Sequence, residues 1–124
     1  MSLKQLSKEA RGEPGNIIGD TPDCWHRERE RTCLRVEMRA NGVFIFPYSQ
    51  FLCAHFIAAA SEQTLRIVFS NHEITLAGRR LEKLLSALQE FTLDWIRPLP
   101  TRYRDLDRGS DVLITSIDVE SLED

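Results

Sequence analysis

The chain has 124 residues, of which 42% are hydrophobic and 28% charged, and a formal net charge of −3. That is one domain's worth of ordinary globular composition, able to bury roughly two thirds of its extended surface without disulfides or metal. The mild acidity argues against a general nucleic-acid binder, and no apolar run reaches the ~18 residues of a membrane helix.

Residues 1–31 read as a poorly ordered polar segment, punctuated by Gly12, Pro14, Gly15, Gly19 and Pro22. The globular domain is expected over 32–119, with an acidic tail at 120–124. Arg27, Arg29 and Arg31 alternate with Glu28 and Glu30. This is a solvated lead-in, or in its sharper reading a basic ladder for a polyanion. Leu34, Val36 and Met38 then alternate with Arg35, Glu37 and Arg39. Asn41-Gly42 follows, before Val43 to Phe46. Asn-Gly between two β-type runs predicts a hairpin, because both residues accept positive φ. Pro47 ends the second strand.

The next stretch, YSQFLCAHFIAAA over 48–60, is predicted to turn at 47–50 and run as a strand over about 51–58. A helix from near Ser49 is the alternative. The strand pairs with 64–70 through the polar loop Ser61-Glu62-Gln63. Leu65, Ile67 and Phe69 fall on one face. A turn at Asn71-His72 returns the chain to Ile74 and Leu76, and Gly78 is expected to stop the strand. Leu81, Leu84, Leu85, Leu88 and Phe91 then repeat every three or four residues, which predicts an amphipathic helix over about 79–92. Leu93 to Ile96 fits a short strand, and Pro98 and Pro100 force an extended passage. Arg102 to Ser110 is a charged loop. Residues 111–119 read as a last strand, with Leu113, Thr115, Ile117 and Val119 sharing a face.

The expected fold is α+β: a strongly bent antiparallel sheet or small open barrel of about five to seven strands with one helix, in the order βββββα(β)β. That order resembles pleckstrin-homology-like and other small-barrel architectures. The likeness is one of architecture; it names no family and carries no function.

Three cysteines, Cys24, Cys33 and Cys53, are too few and too spread for a disulfide framework, and the start MSLKQLSKEARGEPGN lacks the apolar centre of a signal peptide. Both favour a soluble protein in a reducing, cytoplasmic setting. Charge is uneven, at +2 over residues 41–104 and −6 over 105–124.

Two constellations carry chemistry. Arg79, Arg80 and Lys83 crowd the expected helix start, where free N–H groups attract anions, and Arg102 and Arg104 with the Tyr103 ring add guanidinium groups and a stacking surface. The plainer reading is a solvated helix face with pairs such as Arg79–Glu82. Cys24-x-His26 and Cys53-x-His55 each place a thiol and an imidazole on one face of a strand, and two such pairs make a tetrahedral zinc set. The plainer reading is reduced core cysteines and scattered histidines. No nucleophile elbow, phosphate loop or H-E-x-x-H is present, so no catalytic residue and no cofactor are expected. Leu52, Phe56, Phe44, Phe46, Trp25 and Trp95 are many large apolar groups for a sheet that one helix covers on one side. The other side is closed by curvature, by the N-terminal segment or by a partner. The sequence therefore points to a non-catalytic binding or assembly domain with a protein partner, preferably a second copy, and no membrane. The alternative is an anion or nucleic-acid binder, and behind it a small enzyme or zinc-binding domain.

Overall fold

The structure, a computed structural model, describes residues 23–100 and 111–122. Strands β1 (Trp25–Arg27), β2 (Cys33–Met38) and β3 (Gly42–Pro47) lead through a 3-10 turn, Tyr48–Gln50, into β4 (Phe51–Ile57), β5 (Gln63–Phe69) and β6 (His72–Arg79). Helix α1 (Glu82–Gln89), β7 (Leu93–Ile96) and β8 (Leu113–Ser121) complete the described fold. The strands form two four-stranded sheets, ordered β1-β7-β2-β3 and β4-β5-β6-β8, and neither closes into a barrel. The single bent sheet expected from the element order is thus replaced by two open sheets.

Period-two alternation explains why the sheets face each other. Leu34 and Val36 on β2 with Phe46 on β3 are buried, as are Leu65, Ile67 and Phe69 on β5 and Ile74 and Leu76 on β6. Phe46 stacks on Phe69 with centroids 5.0 Å apart, joining the two inner faces. Leu81, Leu84, Ala87 and Leu88 bring the helix into the same core. Leu85 is only half-buried, and Phe91 lies beyond the helix, largely exposed. The helix is therefore shorter than the stripe implied. Among the described residues no helix is long and apolar enough to cross a membrane.

Several expectations need correction. Gly78 does not stop the strand, because β6 runs on to Arg79. Gly78 is there for space: a Cβ at this position would stand 1.9 Å from the Leu113 carbonyl oxygen. The break falls at Arg80, which takes φ 57 and redirects the chain into the helix. At the Asn41-Gly42 turn only Gly42 has positive φ, and Met38 pairs with Gly42, which makes a three-residue loop. The β5–β6 turn sits one residue earlier than expected, at Ser70-Asn71.

Three bulges also break the simple alternation. In β8 the register passes from Ala77↔Ser116 to Gly78↔Ile114, so Thr115 is extra and Ile114 and Ile117 both face inward. Leu52 is the extra residue in β4, and Asp94 in β7. Residues 25–27, expected to be poorly ordered, instead form an edge strand. The backbone N–H of Arg97 donates to Cys24 O, and Trp25 Nε1 donates to Asp111 Oδ1 at 3.1 Å. Residues 28–32 turn rather than extend, so the arginine–glutamate ladder does not form. At the other end β8 takes Glu120 and Ser121 into the sheet, where the sequence suggested a tail.

Candidate functional site

Among the described residues each sheet has two edge strands. They are β1 and β3 in the first sheet, β4 and β8 in the second. An edge strand offers unpaired backbone donors and acceptors, and proteins normally blunt it with charge, bulges or brevity. The edge strand β1 has three residues, one of them Arg27, and pairs across a bulge. The edge strand β8 is bulged and carries Asp118 and Glu120 on its solvent side. The edges β3 and β4 carry no such charge. From Ala40 to Ser61, through both strands and the turn between them, there is no Asp, Glu, Lys or Arg.

The exposed apolar side chains concentrate on those two edges. Leu52 is 62% exposed and Ile57 42% on β4, and Ile45 is 56% exposed on β3. Cys53 and His55 are also exposed. Phe51, Ala54 and Phe56 turn inward, yet all three are only half-buried at this margin of the core. Phe91, 45% exposed, packs edge-on to Phe51 with centroids 6.0 Å apart and widens the apolar strip. The bulge at Leu52 is what pushes this residue out.

The predicted anion residues are placed as follows. Arg79 ends β6 and is exposed, while Lys83 is half-buried. Arg80 Nη1 donates to Asp111 O at 3.4 Å. Neither Arg79 nor Arg80 lies in the helix, which begins at Glu82 after an N-cap at Leu81. The helix start is also partly occupied, because Leu81 N–H donates to Gln63 Oε1 at 2.8 Å and Leu84 N–H to Leu81 O. Arg102 and Arg104 lie outside the described residues.

The zinc set is not assembled. Cys24 is fully buried, its thiol donating to Val112 O at 3.3 Å, while His26 is exposed on the first sheet. Cys53 and His55 sit together on the solvent face of the second sheet. The period-two argument holds for the second pair and fails for the first, because Cys24 lies before the strand begins. Among the described residues no three His, Cys, Asp or Glu side chains are grouped to hold a metal ion. His72, at the start of β6, lies against the Phe44 and Phe46 rings.

The outer side of the first sheet holds a second cluster, which sequence reasoning did not assemble. The His26 ring stacks on Trp95 with centroids 6.1 Å apart, and the Arg97 guanidinium lies 5.6 Å from the same ring. Acids meet the bases here: Arg27–Glu90 at 2.9 Å, Arg31–Asp94 at 3.5 Å and Arg35–Glu37 at 3.0 Å. A shallow pocket of about 240 Å³ beside it is lined by Arg31, Cys33, Arg35, Ile45 and Asp94 among others. Beneath this region Tyr48 Oη donates to Leu93 O at 2.6 Å. Burial, then the Asp94 charge and the Cys33 thiol, hold the Tyr48 phenol well above its ordinary range.

No protein-family model, curated protein or solved structure matches the chain.

Proposed function

We propose that the chain is a non-catalytic assembly domain that joins a second copy of itself through the free edge of β4. The observation that supports this most is a seven-residue edge strand with no charge, whose exposed side chains include Leu52 and Ile57. A monomer gains nothing from such an edge and risks unwanted pairing. Two-fold pairing of an uncharged strand with itself brings no like charges together, and the result is one continuous sheet of eight strands. Choosing between registers depends on side chains. With Ala54 opposite the partner's Ala54, Cys53 opposes the partner's His55 on the solvent face, and the regular ladder ends at the Leu52 bulge. Shifting the centre to Cys53 runs the ladder into that bulge at once, and shifting it to His55 sets Phe56 against Ala54 and Ile57 against Cys53.

A polyanion partner has less support, because Arg27, Arg31 and Arg35 are already paired with acids and Arg80 is hydrogen-bonded to the Asp111 carbonyl.

Light scattering after size-exclusion chromatography, over a hundredfold range of concentration, tests the assembly. We expect a concentration-dependent dimer that Leu52→Lys with Ile57→Lys abolishes while circular dichroism stays unchanged. A strict monomer at the highest concentration sinks the proposal.

A further inference from the structure

The β4 edge carries one feature that apolar pairing does not use. Cys53 and His55 are both exposed and stand two residues apart on the same solvent-facing side of the strand. We infer that a divalent transition ion of the zinc type bridges two copies of the chain, held by Cys53 and His55 of each. The inference rests on the β4 pairing proposed above, which the ion tightens.

The geometry follows from strand spacing. With Ala54 on the two-fold axis, Cys53 of one copy lies directly opposite His55 of the other, and the converse pair lies on the same face. Opposed Cβ atoms in an antiparallel pair are about 4.5–5.5 Å apart, and residues i and i+2 on one strand about 7 Å apart. The four side chains thus stand at the corners of a small rectangle on the solvent face. Thiolate sulfur at about 2.3 Å and imidazole nitrogen at about 2.0–2.1 Å from an ion above its centre complete a Cys2His2 set. Each copy supplies half the ligands, which is why no cluster of three appears within one chain.

Charge and surroundings suit the ion. Two thiolates and two neutral imidazoles neutralise a doubly charged cation, and loading releases two thiol protons to water. Val68 faces Cys53 across the β4–β5 ladder, and Arg66 faces His55. The Arg66 guanidinium is held by Glu73, so the nearest fixed positive charge is already compensated. Ala54, between the two ligands, turns to the other face and leaves the axis uncrowded.

Zinc chloride, added to the full chain with a phosphine reductant, is the probe, against the same protein in a chelator. We expect one zinc per two chains by metal analysis and a dimer tightened roughly 100-fold when free zinc is about 100 times its dissociation constant. Cobalt substitution should give the intense thiolate charge-transfer and tetrahedral ligand-field bands of a Cys2His2 site. Cys53→Ser and His55→Ala should each abolish the zinc response. If the wild-type chain still dimerises but zinc has no effect, or either variant keeps the full response, the metal bridge is overturned and the edge pairing stands. If the chain stays monomeric with and without zinc, the edge pairing falls as well. A zinc effect that survives Leu52→Lys with Ile57→Lys but not Cys53→Ser would keep the bridge and overturn apolar pairing as its basis.

Discussion

Gly78 faces the Leu113 carbonyl so closely that a single added methyl would sit 1.9 Å from its oxygen. The contact lies where the β6–β8 register shifts around Thr115. Gly78→Ala must therefore displace β8, and we expect a loss of about 1–3 kcal/mol in urea unfolding. Gly42→Ala tests a different cause. Its Cβ would meet no atom within 4 Å, and the cost comes only from φ +81, about 1 kcal/mol.

Tyr48 should make the fold sensitive to alkali. Its ordinary value is 10.0, and in the folded chain burial, Asp94 and Cys33 raise it. Below about pH 10 both states keep the proton and the contribution is intact. As pH rises further, the unfolded chain ionises first and stability falls until the folded-state value is passed. Urea midpoints should decline across this window in the wild-type chain. Tyr48→Phe should remove that part of the decline, and at neutral pH cost about 1 kcal/mol by removing the hydrogen bond to the Leu93 carbonyl.

The three thiols should alkylate in a fixed order. Cys53 is exposed, Cys33 half-buried and Cys24 buried. Iodoacetamide followed by mass spectrometry should label Cys53 first and Cys33 next, with Cys24 reacting only in denaturant. Zinc should protect Cys53 alone. Early labelling of Cys24 would contradict its place under the Val112 carbonyl.

Leu52→Lys should leave monomer stability within about 0.5 kcal/mol, since a bulge residue this exposed contributes little packing. Its effect should appear in assembly alone, as a rise in the dimer dissociation constant measured by analytical ultracentrifugation.

Local chemistry in the sequence was enough for most elements. Asn41-Gly42, the alternation from Leu65 to Phe69 and the stripe from Leu81 to Leu88 each encode their structure within a few residues. What escaped was encoded over long range. Trp25–Arg27 is a strand only because Leu93–Ile96 pairs with it, and nothing near residue 25 announces that partner. The bulges at Leu52 and Asp94 flip side chains without any glycine to mark them, and the one at Thr115 is marked only by Gly78 on the facing strand. Arg80 takes a conformation that residue type disfavours, so the glycine two places earlier looked like the break. The Cys53–His55 pair was legible from its spacing. Its setting on an uncharged edge came from the strand order, which places β4 last in its sheet.

The pairing of β1 with β7 also bears on how the chain reaches its native state. The ladders β2–β3, β4–β5 and β5–β6 join strands adjacent in the sequence and close short loops. β7 instead pairs parallel to β2 and antiparallel to β1, joining Val36 and Trp25 to Ile96. During synthesis Trp25–Arg27 has no strand to pair with until Ile96 has left the ribosome. The first sheet is therefore completed late, after the three hairpins have formed, and its closing step should set the folding rate.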